Sequence, residues 1–474
     1  MKRRKFVQSL LVLSGGLVLS TESIYASALS VKKVKGTVKA GGKKLAGVVV
    51  SDGYSVVQTD RKGRYEMPKH ELAKAVFISV PAGYALPQEK GIARHYQHIN
   101  MANSKQQYDF ELTKLQQDDT NHKFIVWADP QVKNKGDVKQ MMAQSVPDVK
   151  ELVASFGAGA LVHGMTVGDI VWDKHELFES YDKAVAGTGI PFFQVLGNHD
   201  MDYRKGGDDV SDDTFEALYG PTYYSFNRGK VHYVVLDDVR YLGTERNYDG
   251  YLAEHQLAWL KKDLEFVPKD HLVVIGLHIP VHNSVKNNED FYAILGDRKV
   301  HIMSGHTHYN RNVITGNVHE HVHGTLCGAW WTGPICSDGA PRGYGVYEVE
   351  GTEMKWYYKS TGLPKEHQIS IRVEELTNQK RMIANVWNWD PEWKVEWWAD
   401  EKYMGTLENT TGFDPMAVTL YKGDQLPKGR TFAEPVRTDH LFLSHFKPEV
   451  QSLKVVATDR FGNRYEQVVP AHKA

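Results

Sequence analysis

Two short runs of sequence are the most informative in this chain: Gly197-Asn198-His199-Asp200 and Gly305-His306-Thr307-His308. Each run places nitrogen and oxygen metal ligands beside a glycine, at the end of an apolar segment. Further upstream, aspartates occupy similar positions in Val126-Trp127-Ala128-Asp129 and Thr166-Val167-Gly168-Asp169. Taken together and in this order, the four runs predict one site that holds two metal ions.

Five short apolar runs each lead into a residue that can bind a metal, namely Asp129, Asp169, Asn198, His278 and His306. The runs are rich in Val, Ile, Leu or Phe and are bordered by Gly or Pro, which is typical of buried strands. Ligands of open α/β sheets collect outside the carboxyl ends of such strands. The pattern therefore predicts a central α/β domain with its site at that edge.

The order of these residues resembles that of the calcineurin-like metallophosphoesterases, in particular an exported bacterial type with three domains. The resemblance covers about residues 120 to 360. It implies that one metal is held by Asp129, Gln131, Asp169 and His308, and the other by Asp169, Asn198, His278 and His306. It also implies that a hydroxide between the metals attacks a phosphate monoester or diester.

The chemistry of the donors supports this division. A shared carboxylate, here Asp169, offsets the repulsion between two divalent ions, and imidazole with carboxylate suits Mn, Fe, Zn or Ni. At a separation of about 3.5–4 Å, such ions hold both the attacking and the leaving oxygen of a displacement. We therefore expect two divalent ions and leave their identity open.

Gln131 is the one departure from the family pattern, which usually has a histidine at this position. Its carbonyl oxygen is a weaker ligand than imidazole, or it can hold a water. The same Asp-Pro-Gln form resembles that of exported bacterial members, so we interpret Gln131 as a variant ligand.

His199 is the candidate proton donor for the leaving alcohol, because it follows the ligand Asn198 directly. Asp200 is expected to fix the tautomer of His199 and to raise its basicity. In the alternative interpretation His199 caps a turn and Asp200 caps the next helix. His282, four residues after His278, is a weaker candidate for contact with the substrate phosphate, together with Asn198.

The chain has 22 histidines, and most of them are expected to be ordinary core or surface groups. His301 is placed in this class. His319, His321 and His323 alternate along a predicted strand of residues 318–326 and therefore share one face. We expect an exposed strand face there, with a third metal as the alternative.

Residues 1–28 are predicted to be an export signal. They contain a basic run at residues 2–5, an apolar stretch at residues 6–19 and a small-residue cleavage site at residues 26–28. Both an ordinary secretory signal and a twin-arginine signal fit. The prediction is a periplasmic or secreted bacterial protein without a transmembrane anchor after removal of the signal.

The net charge and the cysteine content bear on nucleic-acid binding and on disulfide pairing. The net charge of −1 gives no electrostatic basis for nucleic-acid binding. Cys327 and Cys336 can pair in an oxidising compartment or pack as free thiols, and their spacing leaves both open.

The length of 474 residues favours several domains. We predict a multidomain α+β protein with an N-terminal β-sandwich at 31–115, a phosphoesterase domain at 120–361 and a C-terminal β-rich domain at 365–474. The central domain is expected to be an α/β sandwich of two sheets flanked by helices. The first domain resembles transthyretin-like modules. Tryptophans at 387–398 fit a sandwich core better than a sugar-stacking surface.

The leading hypothesis is an exported metal-dependent phosphoesterase. Its location favours phosphorylated glycans, lipid head groups or nucleotides as substrates, and the motifs do not distinguish monoesters from diesters. The alternative is a glycan-binding protein of the cell envelope with a degenerate metal centre. Gln131 favours this alternative, whereas the retained His199 disfavours it.

Overall fold

The computed structural model describes residues 33–99, 107–422, 426 and 432–472. The predicted export signal at residues 1–28 lies outside the described residues. None of the described helices is long and apolar enough to cross a membrane.

The N-terminal region is built of short strands: β1 (Lys33–Ala40), β2 (Lys43–Lys44), β3 (Val49–Ser51), β4 (Val56–Gln58), β5 (Arg64–Pro68), β6 (Ala75–Ser79), β7 (Gln88–Glu89), β8 (Ile92–Ala93), β9 (Tyr96–His98) and β10 (Phe110–Leu112). One sheet has the order β10-β1-β2, with β5 also paired to β1, and a second sheet has the order β4-β3-β6-β9. Buried and exposed residues alternate along β5, as expected for a strand with one face on a core.

The central region contains β11 (Asn121–Trp127), β12 (Val162–Val167), β13 (Phe192–Val195), β14 (Tyr224–Arg228), β15 (Val231–Val235), β16 (Val239–Tyr241), β17 (Tyr248–Gly250), β18 (Leu272–Gly276), β19 (Val300–Ser304), β20 (Arg311–Thr315), β21 (Val318–Val322), β22 (Gly343–Glu350) and β23 (Glu353–Ser360). They form a sheet of order β23-β22-β11-β12-β13-β8-β7 and a sheet of order β14-β15-β18-β19-β21-β20. Strands β11, β12 and β13 are parallel, and so are β15, β18, β19 and β21.

The two central sheets pack face to face through aromatic rings. Phe193 of β13 stacks on Phe226 of β14 at 3.8 Å between ring centroids, and Phe124 of β11 meets Tyr233 of β15 edge-on at 5.4 Å. The expected α/β sandwich is confirmed. Strands β7 and β8 come from the predicted N-terminal domain, so the seven-stranded sheet crosses the boundary placed at residue 115.

The helices are α1 (Lys135–Gln140), α2 (Val146–Ser155), α3 (Phe178–Thr188), α4 (Asp213–Tyr219), α5 (Glu254–Leu264), α6 (Val281–Ser284), α7 (Asn288–Leu295) and α8 (Pro415–Tyr421). The Tyr181 hydroxyl of α3 lies 2.6 Å from the Thr166 hydroxyl of β12. Asp263 of α5 lies 2.9 Å from His232 of β15. Helices therefore cover the outer faces of both central sheets.

The C-terminal region contains β24 (Ser370–Glu375), β25 (Lys380–Asn385), β26 (Lys394–Ala399), β27 (Lys402–Thr406), β28 (Glu408–Phe413), β29 (Arg437–Phe446), β30 (Ser452–Thr458) and β31 (Arg464–Pro470). They form sheets of order β24-β25-β29-β28 and β27-β26-β30-β31. Trp393 and Trp397 belong to the core of this region, and Trp387 is buried. Their burial favours the core interpretation of the tryptophan-rich run.

Candidate metal centre

The sequence-predicted ligands follow strands of both central sheets. Asp129 and Asp169 come directly after β11 and β12, and Asn198 follows β13. His278 and His306 follow β18 and β19 of the other sheet. Because parallel strands end at the same edge, the fold brings these five side chains to one place.

The backbone around this place is strained. Among the described residues, 13 non-glycine residues have positive φ, and eight of them lie here: Asp129, Gln131, Asp169, Asp173, His306, His308, Trp330 and Trp331. Such conformations cost about 1–3 kcal/mol each and cluster at functional sites, because the surrounding structure must hold them. Three of these residues, Asp129, Asp169 and His306, come just after strands of the central sheets.

Close packing explains the glycines of the motifs. A Cβ on Gly168 would lie 2.2 Å from Nδ1 of His278, and a Cβ on Gly197 would lie 2.0 Å from the backbone nitrogen of Asp169. Both distances are far below van der Waals contact. Any side chain at either position would push apart residues of the candidate metal centre.

Lone pairs converge on His278. Its Nδ1 donates to the Val167 carbonyl at 2.9 Å, so in the neutral ring Nε2 carries a lone pair. Around Nε2 lie Oδ1 of Asn198 at 3.0 Å, Oδ1 of Asp169 at 3.3 Å and Nδ1 of His306 at 3.2 Å. The two oxygens are acceptors only, so the group repels itself unless a proton on Nε2 of His278 or a metal cation lies among its members. The donors fit a divalent transition metal.

A second set of donors surrounds Asp129 on the other side of Asp169. Nε2 of His308 lies 3.5 Å from Oδ1 of Asp129, and the Gln131 amide donates to Oδ2 of Asp169 at 3.0 Å. Oε1 of Gln131 and Nδ1 of His308 are buried without a hydrogen-bond partner. Since buried polar atoms are nearly always paired, these two atoms fit a further cation. Asp169 contacts members of both sets.

Backbone hydrogen bonds hold the carboxylates and the ligand loops in place. Asp238 accepts the N–H groups of His278 and Ile279 at about 3.0 Å, and Asp129 accepts the N–H of His306 at 3.0 Å. Asp238 therefore orients the loop that carries His278.

The expectation that Asp200 orients His199 is wrong. Both residues lie on a short 3-10 turn (Asn198–Asp200), and the Asp200 carboxylate points back to accept the N–H groups of Ile170, Val171 and Gly197 at 3.0–3.1 Å. Asp200 fixes the loop after β12 instead.

Asp173 takes the role that was expected of Asp200. Its Oδ1 lies 3.0 Å from Nδ1 of His199, and its other oxygen pairs with Arg246. Burial lowers the pKa of His199, but the nearby carboxylates of Asp169 and Asp173 outweigh burial and raise it. The sequence signal for Asp173 was its position four residues after Asp169, on the same loop.

Three protein-family models match the sequence of this chain. They are described as N terminal of Calcineurin-like phosphoesterase (residues 32–115), Calcineurin-like phosphoesterase (110–310) and C terminal of Calcineurin-like phosphoesterase (320–465). The chain belongs to the calcineurin-like phosphoesterase family. It therefore has the three-domain architecture of a metallophosphoesterase, and the family implies divalent metals and hydrolysis of phosphate esters.

Solved structures resemble this phosphoesterase at low sequence identity. A dimetal phosphatase from Danio rerio is 16% identical, with a TM-score of 0.36, over 50% of this chain and 96% of that chain. A purple acid phosphatase from yellow lupin (Lupinus luteus) is 10% identical, with a TM-score of 0.38, over 76% and 69%. A 5′-nucleotidase from Candida albicans is 11% identical, with a TM-score of 0.30, over 52% and 51%. A search of curated proteins finds no match.

An aromatic wall of Trp172, Trp330 and Phe432 stands beside the candidate metal centre. Trp172 lies 5.3 Å from His199 and Trp330 stacks on His308 at 4.5 Å, measured between ring centroids. Phe432 lies 5.0 Å from both tryptophans and has 42% of its surface exposed. Sequence reasoning missed the wall because its members come from three distant segments.

His282 is held by Glu320 at 3.0 Å through Nδ1, and its Nε2 is buried without a partner. Its contact with substrate stays a prediction. Cys327 and Cys336 are buried free thiols, which favours the unpaired alternative.

The predicted exposure of His319, His321 and His323 is wrong. Their side chains are buried, with 3–6% of each residue exposed, and His301 on the neighbouring strand is buried as well. The ring of Trp356, on β23 of the opposite central sheet, lies edge-on against His319 and His321 at 4.9 and 4.8 Å. The opposite sheet therefore covers the face that was expected to meet solvent.

Proposed function

We propose that this calcineurin-like phosphoesterase is an exported enzyme that holds two divalent ions and hydrolyses phosphate esters. One ion would be held by Asp129, Gln131, Asp169 and His308, and the other by Asp169, Asn198, His278 and His306. The convergence of lone pairs on Nε2 of His278 carries this proposal. When bound, the ions supply positive charge to the phosphate oxygens and lower the pKa of the attacking water.

His199 would protonate the leaving oxygen. Because Asp173 accepts from Nδ1 at 3.0 Å, the protonated ring keeps Nε2–H as the proton that it can give away. Arg246 pairs with Asp173 and is exposed, so it holds the carboxylate while leaving the ring accessible. The His199 backbone N–H donates to Oδ1 of Asp169 at 2.8 Å, which ties the donor to the shared carboxylate.

The aromatic wall would receive the leaving group. Trp172 touches His199, so an alcohol that takes a proton from His199 lies against the flat faces of the wall. Stacking on aromatic faces suits sugar rings and nucleobases better than short acyclic alcohols. Among the expected substrates, the wall therefore favours phosphorylated glycans and nucleotides over lipid head groups.

The test is metal analysis together with hydrolysis of matched monoesters and diesters. The purified chain is assayed on nitrophenyl phosphate and bis-nitrophenyl phosphate before and after removal of metal by a chelator, and metal content is measured in the same samples. We expect two ions per chain that activity requires, and activity that disappears and returns with them. Glycan binding without any hydrolysis would support the degenerate centre instead.

A further inference from the structure

A second group of potential metal ligands lies apart from the candidate metal centre. His301 of β19 and His319 and His321 of β21 each place a ring nitrogen within 4.8 Å of the others, and all three are buried. The strand register sets His301 directly opposite His319. The pairing of β19 with β21 thus assembles what we call the histidine cluster.

Hydrogen bonds fix which nitrogens carry lone pairs. The Asn312 amide donates to the carbonyls of Asn388 and Trp389, so its Oδ1 is the acceptor that faces Nε2 of His319 at 3.0 Å. His319 therefore has its proton on Nε2 and its lone pair on Nδ1. Metal-binding histidines are usually oriented by this kind of hydrogen bond to the second nitrogen.

Two more nitrogens of the cluster already share one proton. Nδ1 of His301 lies 2.9 Å from Nε2 of His321, so one of them donates to the other. A tetrahedral zinc ion with Zn–N bonds of 2.0–2.1 Å separates its nitrogens by about 3.4 Å. Replacing that proton with an ion requires the pair to open by about 0.5 Å.

The surroundings keep the cluster neutral. Burial lowers the pKa of all three rings, and that of His319 falls to about 3. The positive groups nearby are already paired: Arg460 with Asp390 and Glu392, and Lys299 with Glu353. Neutral imidazole is the form that binds metals, so the ion has to displace only the shared proton, which can move to the other nitrogen of its own ring.

We propose that His301, His319 and His321 bind one divalent transition-metal ion, of the zinc, nickel or copper class. A cavity of about 500 Å³ next to His301 and His319 provides the entry path and room for a water as fourth ligand. The rings stand nearly parallel, within 10–24°, so His319 must tilt about its Cβ–Cγ bond to face the ion, with its Nε2–H still donating to Asn312. Its position at the cavity gives it space to do so.

The ion would have a structural role. It would join β19 to β21, and Asn312, which orients His319, contacts the backbone of the C-terminal region at Asn388 and Trp389. Arg460 and Phe461 of that region pack on Trp356, the ring that covers the cluster. The ion would therefore stabilise the contact between the central and C-terminal regions.

The test counts ions in the full-length chain. Metal-free protein is titrated with Zn²⁺ and with Co²⁺, whose visible absorption reports tetrahedral coordination, for the wild type, His319→Gln and Asp169→Ala. We expect Asp169→Ala to keep one tightly bound ion and His319→Gln to lose one. A chain that binds equally many ions with and without His319, or none after Asp169→Ala, would overturn the proposal and leave a neutral hydrogen-bonded cluster.

Two further variants separate ligand loss from misfolding. His323→Gln removes a neighbouring buried histidine that bonds Ser304 and Tyr347, and it should keep the ion. Asn312→Ala removes only the group that orients His319 and should weaken binding by about 10- to 100-fold. Equal ion loss in His323→Gln and His319→Gln would refute a specific site.

Discussion

Asp173→Asn tests the proposed acid catalysis most directly. The substitution keeps the shape of the side chain but removes the charge that faces Nδ1 of His199 at 3.0 Å. A hydrogen bond to a charged group contributes about 1.5–3 kcal/mol. If this energy stabilises the transition state in which His199 protonates the leaving oxygen, its loss lowers kcat by about 10- to 150-fold. The loss should appear with alkyl phosphate esters, whose leaving groups need a proton, and be small with nitrophenyl esters.

The pH profile gives a second readout. Asp173 helps to raise the pKa of His199 above its usual value, so the protonated form persists to higher pH. The acid form is lost as pH rises through that pKa. Without the carboxylate, the alkaline fall of kcat for alkyl esters should therefore move to lower pH.

The assay compares kcat for an alkyl and a nitrophenyl ester across pH, with metal content measured in each sample. Asp200→Asn is the control, because Asp200 accepts three backbone N–H groups and does not contact the His199 ring. We expect Asp200→Asn to lower stability and to discriminate between the two esters far less than Asp173→Asn, because Asp200 raises the His199 pKa less than Asp173 does. Equal losses on both esters in Asp173→Asn would refute acid catalysis by His199 and indicate phosphate positioning.

Four other predictions concern single residues. Asp169→Ala should weaken both ions of the candidate metal centre and abolish turnover, because this carboxylate contacts both donor sets. An unchanged ion count with a normal rate would contradict the two-metal assignment. Gln131→His should tighten metal binding at the first set, measured by dialysis against chelator, because imidazole is the stronger ligand. Trp330→Ala should raise KM by about 5- to 150-fold for nucleoside or sugar esters and hardly for short alkyl esters, since stacking contributes about 1–3 kcal/mol. His95→Phe should reduce the loss of stability at acid pH. Burial lowers the His95 pKa to about 3, so between pH 6.5 and 3 only the unfolded chain binds this proton, and the free energy of unfolding decreases by up to about 1.4 kcal/mol for each unit that the pH is lowered. Urea unfolding at several pH values would measure this slope in the wild type and its absence in the variant.

The ligand positions could be predicted because each is a local signal. An apolar run followed by Asp, Asn or His marks the end of a buried strand, and parallel pairing then places all such ends at one edge. The sequence therefore predicts that Asp129 and His306 lie close together, although 177 residues separate them. The family resemblance adds the division into two ligand sets.

The partner of His199 could not be predicted in the same way. His199 and Asp200 are adjacent, but on a 3-10 turn neighbouring side chains point in different directions, and the strained backbone at Asp173 turns its carboxylate towards His199. Which carboxylate meets the ring depends on backbone angles that the residue types do not determine. The aromatic wall was missed for a related reason, because Phe432 reaches it from the C-terminal region.

The histidine cluster is a second case in which the sequence could be only partly interpreted without knowledge of long-range packing. The alternation of His319 and His321 correctly predicts that they share one face of a strand, because the side-chain period of a strand is two residues. Whether that face meets solvent depends on Trp356, which belongs to the opposite sheet. Periodicity thus identifies the set of side chains that lie together, whereas long-range packing decides whether they are exposed groups or buried, neutral ligands.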